Sequence, residues 1–97
     1  MLTAPKAREI AREAKEKRDR EIFEKIKSFI EKRIELSASD GYFSFYYNYS
    51  VNTIVNYSLE EWATAISKIS KLLIQNGYDV SFVKNGDGMI TEVQIGW

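Results

Sequence analysis

The sequence predicts an α+β domain with the order α-β-α-β-β, in which a three-stranded sheet carries both helices on one face. Three observations lead there. Residues 4–36 are rich in Ala, Glu, Lys and Arg and contain no glycine. Five of the six residues from Tyr42 to Tyr47 are aromatic, in a run whose side chains must alternate between two faces if it is a strand. The chain closes on two apolar-alternating segments around "NGDG", the pattern of a β-hairpin.

The first helix is expected from Ala4 to about Leu36. Thr3 can cap it, and Pro5 falls in the first turn, where a missing N–H does no harm. Ile22, Phe23, Ile26, Phe29, Ile30 and Ile34 recur at helical spacing and mark a core face. The first half offers only Ala7, Ile10, Ala11 and Ala14, followed by "KEKRDRE". Such a helix is about 45–50 Å long, whereas a compact domain of this size is about 30 Å across. The helix should therefore overhang the core. Residues 1–20 are an expected oligomerisation arm, packing its narrow Ala/Ile stripe on another copy.

"SASDG" at 37–41 reads as the turn that ends the helix. In the strand that follows, Phe43, Phe45, Tyr47, Tyr49 and Val51 are expected on the core face. Tyr42, Ser44, Tyr46, Asn48 and Ser50 are expected outside. Residues 51–57 read equally as a strand extension or a loop. Ser58 with Glu61 forms a capping box, and Tyr57 with Trp62 stands at staple spacing. The second helix then runs to about Asn76, burying Trp62, Ile66, Ile69, Leu72 and Leu73, with Gly77 as its stop. In the closing hairpin Tyr78, Val80 and Phe82 share one side, as do Met89, Thr91, Val93, Ile95 and Trp97. The uncovered sheet face would carry Tyr42, Tyr46, Asn48, Ser81, Val83, Ile90, Glu92 and Gln94, a mixed aromatic and polar surface suited to a partner.

The 97 residues make one domain, 1–97, with little room for an internal pocket. No cysteine is present, which removes disulfides, thiolate metal sites and cysteine nucleophiles. No histidine is present either, so the commonest general base and metal ligand are missing. The carboxylates show no shared spacing, and "NGDG" lies between strands, where a phosphate-cradling loop does not. No enzyme activity, cofactor or metal is expected. No run is long and apolar enough to cross a bilayer, and "MLTAPKAREI" does not read as an export signal.

Net charge is zero but unevenly spread, with eleven Lys/Arg against eight Asp/Glu through Leu36 and three against six thereafter. The basic residues at 15–20 interleave with acids, which argues against nucleic acid, although a sheet of tyrosines could stack on single-stranded bases. A small anionic ligand needs less charge. Arg8, Arg12, Lys15 and Arg18 of one copy could meet Tyr42, Tyr46 and Asn48 of another and hold a nucleotide. Equally, the exposed face could cover a site on a protein, or its tyrosines could simply pad the sheet.

The segments "LTAPKAREIAREA", "FSFYY", "LLIQNGYDV" and "VQIGW" resemble those of small accessory proteins encoded by tailed bacteriophages. The resemblance implies a setting in host takeover and counter-defence, in the cytoplasm of an infected bacterium, and carries over no catalytic residue. The residues and that setting together lead to two expected roles: sequestering a small nucleotide-type immune signal at an oligomer interface, or inhibiting a host or defence protein by covering it. Single-stranded nucleic-acid binding is a third.

Overall fold

The computed structural model describes residues 1–51 and 57–97. The elements are α1 (Ala4–Ser39), β1 (Ser44–Asn48), a 3-10 turn (Tyr49–Val51), α2 (Leu59–Gln75), β2 (Asp79–Lys84) and β3 (Ile90–Gly96). β3, the last strand in sequence, lies at the centre in the order β1-β3-β2, with both neighbours antiparallel. The α+β class, the element order and the helices on one side of the sheet agree with the sequence reading.

α1 starts where expected, with the Thr3 hydroxyl accepting from the Lys6 amide at 3.4 Å. It ends three residues later than expected, because Ser37, Ala38 and Ser39 continue the helix and only Gly41, at φ +87°, reverses the chain. Its 36 residues span about 54 Å. All of its buried residues, Ile22, Ile26, Ile30 and Ile34, lie in the second half. The radius of gyration is 16.0 Å, against about 13 Å for a compact chain of this length. The difference is the overhang.

α2 carries the expected capping box: the Ser58 hydroxyl accepts from the Glu61 amide at 3.1 Å, and the Glu61 carboxylate accepts from the Ser58 amide at 3.1 Å. Trp62, Ala65, Ile66, Ile69, Ser70 and Leu73 are buried. Ser70 is tolerated there because its hydroxyl donates to the Ile66 carbonyl at 2.7 Å. Leu72, expected in the stripe, is 38% exposed. Leu73 and Ile69 already fill the azimuth that faces α1, and one residue of helix rotates the side chain by about 100°. Gly77, at φ +89°, stops the helix.

Pairing sorts the sheet into rows. Phe45, Ile95 and Val80 face the helices, as do Tyr47, Val93 and Phe82. Tyr47 packs edge-on to Trp62, with ring centroids 5.3 Å apart, and burial pushes its phenol up from the ordinary tyrosine range. Two expectations for β1 are corrected. Phe43 was expected in the core, yet it precedes the strand and is 75% exposed. Tyr49 is half-buried against the core but in the 3-10 turn, its hydroxyl donating to the Tyr57 carbonyl at 2.5 Å. The strand stops because the Asn48 carboxamide oxygen accepts from both the amide and the hydroxyl of Ser50. The Val51 side chain and the strand-or-loop reading of residues 52–56 lie outside the described residues.

Ile90 is a further correction. It was expected on the uncovered face but is buried. Val83 pairs with Glu92 whereas Lys84 pairs with Ile90, so Thr91 is an extra residue in β3. This bulge reverses the facing parity of everything before it. Ile90 thus joins Val93 and Ile95 in the core, and Met89 and Thr91 no longer share their side. The turn at Asn85–Gly88 is the expected hairpin, fastened by the Asn85 side chain, which accepts from the amides of Asp87 and Met89 at 3.0 Å each.

Candidate functional site

The seven residues singled out from sequence fall into three separate places. Tyr46 and Asn48 lie on the open face of the sheet. Its rows are Ser44–Gly96–Asp79, Tyr46–Gln94–Ser81 and Asn48–Glu92–Val83. Gly96, without a side chain, leaves a shallow hollow of about 250 Å³ beside Tyr46, lined by Ser44, Asp79, Ser81 and Gln94. These rows hold two carboxylates and no cation. Asn48 is already engaged with Ser50. This face is aromatic, polar and acidic, and by itself it repels an anion.

Tyr42 stands at the corner between α1 and β1, its amide donating to the Ser37 carbonyl at 2.9 Å, and its ring is 67% exposed. Arg8 and Arg12 are on the overhang. From residue 8 to residue 37 the helix rises about 43 Å, so these arginines do not reach Tyr42 or Tyr46 of their own chain. Any site that joins them requires a second copy, as the sequence reading supposed.

Lys15 and Arg18 are elsewhere again, beside the first turns of α2. They line a groove of about 250 Å³ with Asp19, Glu60, Glu61, Thr64 and Lys68. A second groove of about 430 Å³ adjoins it, sharing Glu60, Thr64 and Lys68 and adding Ser67, Lys71, Lys84, Gly88 and Met89. Lys68, Lys71 and Lys84 are the entire cationic complement of residues 37–97, and the fold gathers all three here. The sequence reading missed them. The three-residue step from Lys68 to Lys71 shows that they share a helix face, but Lys84 joins them only through the packing of α2 on the sheet.

Within this track Arg18 has a fixed task. Its guanidinium donates to the Glu61 carboxylate through Nε at 2.6 Å and Nη2 at 3.2 Å. Glu61 is thereby held well below the usual carboxylate range, at about 2, first by Arg18 and then by the Ser58 amide. Arg18 thus offsets one of the three carboxylates in these linings, and Asp19 and Glu60 remain beside the lysines. Lys15, Lys68, Lys71 and Lys84 form no ion pair among the described residues. Thr64 and Ser67, both hydroxyl-bearing, line the second groove with Lys68, Lys71 and Lys84. The arrangement offers ammonium and hydroxyl donors along the exposed side of α2, which suits phosphate oxygens.

Among the described residues no group of His, Cys, Asp or Glu is placed to hold a metal ion, and no helix is long and apolar enough to cross a membrane. Neither a family model, nor a curated protein, nor a solved structure matches this chain.

Proposed function

We propose that this is a non-catalytic binding protein that captures a small phosphate-bearing ligand of the nucleotide type. The observation that carries the reading is the convergence of Lys15, Lys68, Lys71 and Lys84 on two adjoining grooves, with Arg18 offsetting Glu61. In the second groove Lys68, Lys71 and Lys84 outnumber the Glu60 carboxylate, and an anionic ligand would offset that positive excess. In the setting that the bacteriophage resemblance implies, such a ligand would be a nucleotide immune signal, and capture would remove it from its receptor. The site assigned here uses Lys15 and Arg18 of the residues marked in the sequence and replaces the tyrosines with Lys68 and Lys71 of α2 and Lys84 of β2.

Isothermal titration with ATP, a cyclic dinucleotide and tripolyphosphate tests the reading. At least one should bind, and losing one lysine–phosphate contact should weaken it about tenfold. Lys68→Glu and Lys84→Glu should therefore each weaken binding, while Tyr46→Ala should not. Absence of binding by all three at millimolar concentration overturns the assignment. So does binding that survives both lysine reversals.

A second reading has its own observation. The open sheet face, with Tyr46 60% exposed between Asp79 and Glu92 and no cation beside it, complements a basic protein surface. On this reading the protein is an inhibitor that covers such a surface. Tyr46→Ala with Asp79→Lys would then abolish the protective effect in cells carrying a defence system, while Lys68→Glu would leave it intact.

A further inference from the structure

β1 is an edge strand, and its outer side is open. The Trp97 amide donates to the Phe43 carbonyl at 3.0 Å, so residues 43, 45 and 47 turn their backbone groups towards β3. Ser44 and Tyr46 alternate with them and turn theirs outward. Those two amides and two carbonyls have no partner among the described residues. We infer that this edge receives an extended acidic peptide of another protein as a fourth, antiparallel strand. β1 and the Lys84-bearing β2 are opposite edges of the sheet, so the inference stands independently of what the lysine track holds.

The backbone calls for a strand. Outward amides alternate with outward carbonyls, and another extended chain supplies both partners. A phosphate chain serves the amides but leaves the carbonyls unpaired. The edge also lacks the usual shields. From Gly41 to Leu59 the sequence has neither a charged residue nor a proline. The rings of Tyr42, Phe43 and Tyr46 stand exposed along it.

Charge selects the peptide. Phe29 packs on Phe45 and Tyr47, with ring centroids 6.4 and 4.8 Å apart, and the Arg33 guanidinium lies 5.8 Å over the Phe45 ring. This flank of α1 therefore covers β1. Lys25, Lys32 and Leu36 stand four, three and seven residues from Phe29, share its stripe and are exposed. Glu31 and Glu35, the acids of this stretch, turn instead to the groove with α2. Lys25, Lys32 and Arg33 form no ion pair among the described residues. Side chains of an added strand that stand beside Phe45 and Tyr47 come under these three cations, and carboxylates complement them.

The open face sets the other side of the added strand. There Glu92 pairs with Asn48, which disfavours a further acid, and the exposed Tyr46 ring offers an apolar neighbour. The fitting peptide therefore alternates acidic and apolar residues. A second copy does not fit. Its β1 would present Phe45 and Tyr47, already buried in its own core, and would bring its own Lys25 and Lys32 against this flank. Its β2 offers Val80, Phe82 and Lys84 on the helix side, again without an acid.

Amide NMR of the isotope-labelled full chain tests this, with a capped hexapeptide of alternating glutamate and valine as the probe. The peptide should shift the Ser44 and Tyr46 amide signals and saturate below millimolar concentration. A lysine–valine counterpart should not. Methylating the valine nitrogens, which face β1 in this pairing, should abolish the shifts, whereas methylating the glutamate nitrogens should preserve them. Lys25→Glu with Lys32→Glu, both at exposed positions, should weaken binding about tenfold and leave the melting temperature unchanged. No shift at millimolar peptide overturns the inference, as does an equal response to the lysine peptide or to the valine-methylated one. Tighter binding of a thymidine oligonucleotide at the same amides would make the edge a nucleic-acid surface and overturn it. Shifts of those amides on concentrating the protein alone would seat a second copy there and also overturn it.

Discussion

Arg18 and Glu61 are 43 residues apart, yet the guanidinium of one grips the carboxylate of the other through two nitrogens, at 2.6 and 3.2 Å. Glu61 also closes the capping box of α2. One carboxylate thus fixes the start of α2 and ties it to the point where α1 leaves the body. The pair is largely solvated, with the Arg18 side chain 54% exposed. Its effect is to set registry between the helices more than to add stability.

Glu61 should be visible in acid. Its carboxyl titrates at about 2 in the folded chain against 4.5 when unperturbed. A depressed folded value stabilises the native state above pH 4.5 and loses that contribution as pH falls through the folded value. Melting temperature measured from pH 6 to pH 2 should therefore fall more steeply for the parent than for Glu61→Gln, with the curves converging at the acid end. Parallel curves would show that the ion pair does not form in solution.

β1 should divide by parity. Tyr47→Ala and Phe45→Ala remove buried rings and should each cost about 3–5 kcal/mol, close to the whole stability of a small domain. Tyr46→Ala and Phe43→Ala remove exposed rings and should change stability by about 0.5 kcal/mol or less. Urea titrations of the four variants decide this, and a costly Phe43→Ala would place that ring back in the core.

Leu72 and Leu73 offer the same contrast on α2. Leu73→Ala, at a buried site, should cost about 2–5 kcal/mol. Leu72→Ala should cost less than about 1 kcal/mol in the single chain. Urea titrations of both variants measure the contrast, and a costly Leu72→Ala would place that side chain back in the buried stripe.

The bulge at Thr91 can be deleted. Removing that residue restores strict alternation and turns Ile90 to the open face. The deletion should destabilise the protein more than Ile90→Ala, which should itself cost about 2 kcal/mol. Thermal melts of the two variants measure the difference. A deletion as stable as the parent would mean that the register between β2 and β3 is regular.

Much of this protein is legible locally. The α1 cap at Thr3, the Ser58–Glu61 box, the Asn85–Gly88 turn and the inward set Phe45, Tyr47, Val93 and Ile95 all follow from short-range chemistry that a sequence displays. The overhang of α1 follows from comparing helix length with domain size. Where local rules failed, a longer-range constraint had intervened. Phe43 lies outside β1 because Gly41 delays the start of the strand. Leu72 is exposed because α2 meets α1 on a stripe narrower than its apolar content. Ile90 turns inward because pairing with β2 inserts Thr91, and no alternation pattern contains a bulge.

The candidate site divides along the same line. Sequence marked Lys15 and Arg18, but it grouped them with Arg8, Arg12, Tyr42, Tyr46 and Asn48, which the fold sets on a distant arm, at a corner and on the opposite side of the sheet. It could not pair Arg18 with Glu61 or bring Lys84 to Lys68 and Lys71, because those meetings depend on how α2 lies across α1 and the sheet. Capping, turns and periodicity involve groups a few residues apart, so the chain determines them before it folds. Charge convergence, strand register and the grooves between helices arise only when the apolar faces close on one another, and that closure is where the tertiary structure decided what this protein presents to a ligand.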